Sequence, residues 1–146
     1  SDTSPPLGYT SVIYRFRDGE VEVWAGGEEI SRANGLFIHN GKLIVGNSGD
    51  CFLKAIDLQT RRISTITCLA KDVIDGIRVD NEGNYIVSLW RGQTFLVSPD
   101  GDVVEVLNTL DQRGINIADF EFIKEKNLLV VPTFYGNRVI AYRLNP

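Results

Sequence analysis

The chain has 146 residues, enough for one domain with a real core, and its 43% hydrophobic and 23% charged residues are ordinary for a globular protein. A net charge of −4 with no basic run argues against nucleic acid as a partner, and no apolar stretch approaches the roughly 18–20 residues that span a bilayer. The polar opening SDTSPPLGYT has none of the features of a secretory leader. The expectation is a soluble protein without a membrane partner, and the compartment, cytoplasmic or periplasmic/secreted, stays open. There is no Met, and the chain opens abruptly, as a fragment of a longer protein would.

Helical periodicity is nearly absent; only the short stretch NTLDQR (Asn108 to Arg113) reads as helical. Everything else is short runs of Val, Ile, Leu, Phe and Tyr cut by Gly, Asp and Asn, an all-β signature. In chain order, VIYRF and EVEVW come first as two strands without a set. A unit from Asn34 follows: GLFIH, KLIVGN, FLKAID, ISTITCL. A second starts at Asp75 with GIRV, YIVSLW, TFLVS and VVEVL. A third starts at Asp119 with FEFI, LLVVPTF and RVIAYRL. RDGEVEVW and PDGDVVEVL read as one hairpin used twice, an Asp-Gly turn followed by alternating valines.

The units repeat. RANGLFIHNGKLIVGN returns 41 residues later as VIDGIRVDNEGNYIVS, and 44 residues further as IADFEFIKEKNLLVVP. Four strands at a period of about 40–45 residues predict β-propeller blades. Such a sheet has two apolar faces, and radial stacking buries both. The predicted architecture is all-β, with blades of four antiparallel strands, about three blades' worth: a half blade over 12–30, then 34–70, 75–109 and 118–145. The first strand of each unit is placed on the central channel. Rings of this kind usually have four to eight blades, so this chain does not close one alone.

Two cysteines, Cys51 and Cys68, make no framework and no CxxC. The simpler reading is two small buried thiols. A turn at QTRR (Gln59 to Arg62) would bring them opposite each other, and a disulfide there requires an oxidising compartment.

Asn34, Asp75 and Asp119 are read as equivalent positions at the mouths of three inner strands. In a ring such positions converge on the axis. Three oxygen-bearing side chains suit a hard cation such as Ca²⁺, which takes six to eight oxygen donors, and the absence of a His or Cys cluster argues against zinc. The competing reading is turn chemistry, since Asn-Gly and Asp-Gly are common turn formers; at Asp119 the glycine is gone while the carboxylate remains. His39, the only His, reads as a solvated or locally bonded strand end. Trp90 and Arg91 read as blade packing with the Arg at the surface, or as channel rim. Phe134 and Tyr135 read as a substrate wall or a hydrophobic plug. A single His rules out more than one Ser-His-Asp set, none is assembled around it, and there is no Gly-rich phosphate loop.

ISRANGLFIHNGKLIVGNSG followed by VIDGIRVDNEGNYIVSLWRG resembles the C-terminal half of the SMP-30/gluconolactonase/LRE-like family of six-bladed propellers. The resemblance runs from about Val12 to the end. It implies half of a six-bladed ring, with one axial metal, usually Ca²⁺, held by a Glu, an Asn and an Asp. Asn34 in ANGL and Asp75 in IDGI match the Asn and Asp motifs, and Asp75 is the implied general base. The family's Glu has no counterpart in this chain. Asp119 resembles the third axial ligand of related calcium propellers such as paraoxonases. The implied activity is Ca²⁺-dependent hydrolysis of sugar lactones or similar cyclic esters, with the isolated chain inactive until the missing propeller half, or a second copy of the chain, completes it. Two copies would bring 26 strands, against 24 for six four-stranded blades. The alternative is a non-enzymatic NHL-like propeller that binds a protein or ligand on its rim, with at most a structural metal.

Overall fold

Local chemistry sets the first hairpins. Asp18-Gly19 (φ 52° and 86°) and Asn40-Gly41 (φ 46° and 72°) both take left-handed backbone, the geometry of a type I′ turn, which matches the twist of the strands it joins. The computed structural model describes residues 11–144. Its strands are β1 (Val12–Arg17), β2 (Glu20–Gly26), β3 (Ala33–His39), β4 (Lys42–Asn47), β5 (Phe52–Asp57), β6 (Ile63–Cys68), β7 (Ile74–Val79), β8 (Tyr85–Leu89), β9 (Gln93–Val97), β10 (Val103–Asn108), β11 (Glu121–Ile123), β12 (Leu128–Thr133) and β13 (Arg138–Arg143). They form four antiparallel sheets: β1-β2, then β3-β4-β5-β6, then β7-β8-β9-β10, then β11-β12-β13.

Three apolar clusters sit in the three gaps between four sheets. Ile13 and Trp24 of the first sheet meet Leu43, Val45 and Ile56 of the second. Ile44 and Leu53 meet Ile74, Ile77, Val79 and Val87 of the third. Ile86 then meets Phe120, Phe122, Leu129 and Val131 of the fourth. Neighbours along β4 therefore face different gaps: Leu43 and Val45 look back and Ile44 looks forward, as period-two alternation requires. Each fully buried Val, Leu or Ile contributes roughly 1.5–3 kcal/mol of transfer free energy. Neither middle sheet could keep those faces in water.

Three sequence expectations change. NTLDQR is not helical: Gln112 N–H donates to the Thr109 carbonyl (2.9 Å) and Ile115 N–H to that of Gln112 (3.2 Å), giving consecutive turns. The two Asp-Gly hairpins are not the same turn, because only Gly101 of the second pair is left-handed and its loop is longer. Cys51 and Cys68 are not free thiols; they form a disulfide, with Cα atoms 4.9 Å apart. The cause is the pairing of β5 with β6, which sets Phe52 opposite Cys68 and leaves Cys51 one step away, where Leu69 N–H donates to its carbonyl (2.7 Å). Among the described residues no helix is long and apolar enough to cross a membrane.

Candidate functional site

Strands β3, β7 and β11 lie side by side as the first members of successive sheets, with β7 in the middle. Asn34 and Asp75 sit at the start of β3 and β7, each inside a bulge. Pairing steps from Ala33↔Asn47 to Leu36↔Val45, and from Ile74↔Leu89 to Ile77↔Val87, with one extra residue on the inner strand each time. A bulge of this kind re-aims a side chain locally. The glycines that follow are not turn residues, since neither Gly35 nor Gly76 has a positive φ. They are there for close approach. A Cβ on Gly35 would collide with the Asp75 carbonyl oxygen, and one on Gly76 would come within 2.6 Å of the Phe120 ring.

Asp119 is not at the equivalent position. The bridge Ile117↔Thr133 matches Ile74↔Leu89, and Phe122↔Leu129 matches Val79↔Tyr85. Counting between those anchors puts Ala118 at the place of Asp75, and Asp119 at the place of Gly76. The backbone agrees: Gly76 N–H donates to the Ala118 carbonyl (3.1 Å), just as Gly35 abuts that of Asp75. The apolar side chains Phe120 and Phe122 must fill the gap that Ile77 and Val79 fill one sheet earlier, and that requirement outranks alignment by the acid. The Asp119 carboxylate nonetheless remains close enough to act on Asp75 through its charge.

Burial pushes the Asp75 carboxyl above the usual carboxylate range, the Asp119 charge pushes it further, and an N–H of the Asn34 amide donating to it offsets part of the rise. The Asn34 amide also donates to the Ile74 carbonyl (3.4 Å). Its amide oxygen is the atom that could ligate a cation. Asp119 Oδ1 accepts from its neighbour's Phe120 N–H (2.8 Å) and lies 3.4 Å from Arg78 Nη1. Among the described residues no three His, Cys, Asp or Glu side chains group as a metal site. An amide oxygen and a carboxylate, with a second carboxylate nearby, fit a hard, oxygen-seeking cation in kind, and could supply only part of its shell in number.

Two serines fix this end of the stack. Ser48 Oγ accepts from Ile74 N–H (3.0 Å), tying the second sheet to the residue before Asp75. Ser88 Oγ accepts from Gly76 N–H (2.9 Å) and donates to the Ala118 carbonyl (2.9 Å), tying the third sheet to the fourth. Trp90 is strung between Val73 and Ile117 by backbone bonds of 2.9 and 3.1 Å, and its ring packs edge-on to Phe134 (centroids 4.5 Å apart) with Tyr135 beside them. Arg91 is at the surface, where its backbone N–H donates to Asp72 (2.9 Å). His39 is at the far end of β3, half-buried, with its ring edge-on to Tyr85 (6.2 Å) and away from Asn34. Sequence reasoning missed Ser48, Ser88 and Arg78. Ser48 is the residue after β4 and Ser88 lies inside β8, and the sequence shows them only as small polar residues near the end of the second strand of each unit, in KLIVGNS and YIVS.

No protein-family model and no curated protein sequence matches the chain. Solved structures do. It is similar to a gluconolactonase, XC5397 from Xanthomonas campestris, at 18% identity and TM-score 0.69, covering 90% of this chain and 44% of that one. It is similar to a luciferin-regenerating enzyme at 20% identity and TM-score 0.59, covering 80% and 41%. A virginiamycin B lyase from Staphylococcus aureus matches at 12% identity and TM-score 0.61, covering 86% and 46%. The fold is that of the β-propeller. The chain spans less than half the length of each of these structures.

Proposed function

We propose that this chain is the part of a Ca²⁺-dependent hydrolase of sugar lactones or similar cyclic esters that carries Asn34 and Asp75 of the axial site, with Asp119 beside them, within a six-bladed ring of the SMP-30/gluconolactonase/LRE-like kind. The observation that carries the reading is the matched placement of Asn34 and Asp75. Two polar residues from successive sheets, in matching bulges, come within hydrogen-bonding reach of each other, with a second carboxylate near enough to act through its charge. A turn role requires neither the bulges nor the meeting.

When bound, the cation supplies Lewis-acid polarisation of the scissile carbonyl. The residues of the chain do the rest. Asp75 is the general base that takes a proton from the attacking water, and its raised affinity for protons makes it a stronger base than an exposed carboxylate. The Asn34 amide orients that carboxylate by donating to it. Ser88 holds Gly76 N–H and so fixes the backbone on which Asp75 rides.

Burial in this stack supports the reading of the chain as part of a larger ring. Leu36 and Ile38 on β3 correspond to Ile77 and Val79 on β7, yet they are 48% and 65% exposed against 1% and 4%. The difference is what lies in front of them. The second sheet covers Ile77 and Val79 with β3 and β4, whereas among the described residues the first sheet has only β1 and β2. Two inner strands from the missing propeller half or from a second copy complete it.

The test is calcium titration of the thermal melt, paired with a lactone hydrolysis assay on the completed ring. Calcium raises the melting temperature of the chain, as a ligand of the folded state must. In the completed ring Asp75→Asn lowers kcat by at least about a hundredfold, the usual range for a lost general base. Full-rate hydrolysis by Asp75→Asn removes Asp75 from the chemistry, and an unmoved melt removes the cation.

A further inference from the structure

The side chain at position 78 breaks a pattern. In the second sheet the equivalent residue is Phe37, packed into the apolar cluster between sheets. In the third sheet it is Arg78, directed at the fourth sheet and only 25% exposed. Its guanidinium is held on several sides. Nη1 donates to its own Ile77 carbonyl (2.9 Å) and lies 3.4 Å from Asp119 Oδ1. Nε donates to Glu121 Oε2 (3.3 Å), and the group lies over the Phe120 ring at 5.8 Å. An ordinary surface ion pair is weak because both ends are free to leave. Here the planar fork is oriented by a carbonyl, a ring and two carboxylates of the neighbouring inner strand at once.

Resting on the axial-cation reading, we propose that Arg78 is a positioning residue that clamps Asp119 and Glu121, so that Asp119 stays out of the cation shell and Asn34 and Asp75 are the ligands this chain supplies. Two independent features agree. Asp119 stands at the glycine position of the repeat, one residue beyond the place that Asn34 and Asp75 share. Its Oδ1 is also engaged by the Phe120 N–H, which leaves it turned toward its own backbone. A guanidinium beside the site also lowers its attraction for a divalent ion, so the clamp sets affinity through both geometry and charge.

Arg78→Gln, Arg78→Lys, Asp119→Asn and Arg78→Gln/Asp119→Asn are compared with the unaltered chain. Calcium affinity is read by calorimetry, and the calcium-induced melting shift is read in parallel. Arg78→Gln frees Asp119 and tightens calcium binding by at least about tenfold. Arg78→Lys keeps the charge but loses the fork, and gains less. Asp119→Asn alone costs less affinity than it does in the Arg78→Gln background, where it also removes the gain, a coupling that a purely structural arginine would not produce. Calcium binding by the unaltered chain with no gain in Arg78→Gln overturns the clamp and leaves the cation reading standing. An equal cost of Asp119→Asn in both backgrounds also overturns the clamp. If Arg78→Gln fails to fold, Arg78→Lys decides, and unchanged affinity there overturns the clamp. No calcium response in any variant overturns both readings.

Discussion

Asp75 carries two opposed roles. Its carboxyl is raised above the ordinary range, first by burial and then by the charge of Asp119. Its folded-state pKa thus lies above the roughly 3.9 of an unfolded chain, so ionisation costs more in the fold than out of it. The stability linked to this group is therefore fully present below about 3.9 and is lost as pH rises through the folded value. In a metal-free buffer Asp75→Asn is expected to be more stable than the unaltered chain at pH 7, with the advantage fading as both are acidified toward pH 3. Urea denaturation of the pair across that range measures it, and an unchanged or lower midpoint at pH 7 contradicts the assignment. A residue that weakens its own fold while ionised is what a functional position is expected to look like.

At the scale of elements, the β5–β6 hairpin is closed by the Cys51–Cys68 bond across a separation of 17 residues. Closing a loop of that length removes denatured-state entropy equivalent to about 3 kcal/mol. Cys68→Ser is expected to lower unfolding free energy by about that amount, with intact mass before and after alkylation confirming the bond in the parent. The strands and the sheets they form are legible in the sequence because period-two apolar runs and Gly-bearing turns are local signals. The disulfide is legible only as the alternative that a QTRR turn offers, because it depends on where the β5–β6 register leaves Cys51, which composition does not state. The place of Asp119 is hidden for a similar reason. Its acid suggests one alignment of IADFEF, while the fold aligns that stretch on Ile117, Phe120 and Phe122, the side chains that must fill the gap between sheets. Asn34 and Asp75 are legible because polar and apolar alignments coincide there.

At the scale of the molecule, equivalent positions in the stack make a controlled comparison. Ile38 and Val79 occupy the same place on successive inner strands, but only Val79 is covered. Ile38→Lys is expected to shift the stability of the isolated chain by no more than about 0.5 kcal/mol, whereas Val79→Lys costs on the order of 3–5 kcal/mol by burying an unpaired charge. If two inner strands from elsewhere complete the first blade, Ile38→Lys also abolishes that association, which native mass spectrometry reads directly. Equal stability loss in the two variants would mean that the first sheet already shields β3.

The hydroxyls of Ser48 and Ser88 hold one sheet to the next through Ile74, Gly76 and Ala118, the backbone immediately around Asp75. Cohesion between spokes and spacing between ligands are thus written in the same few bonds. Prying adjacent spokes apart would scatter the donors before it disturbed any strand within a spoke. If the proposed cation binds there, its occupancy becomes a gauge of how firmly the spokes are seated, and the ion in turn acts as a rivet at the hub.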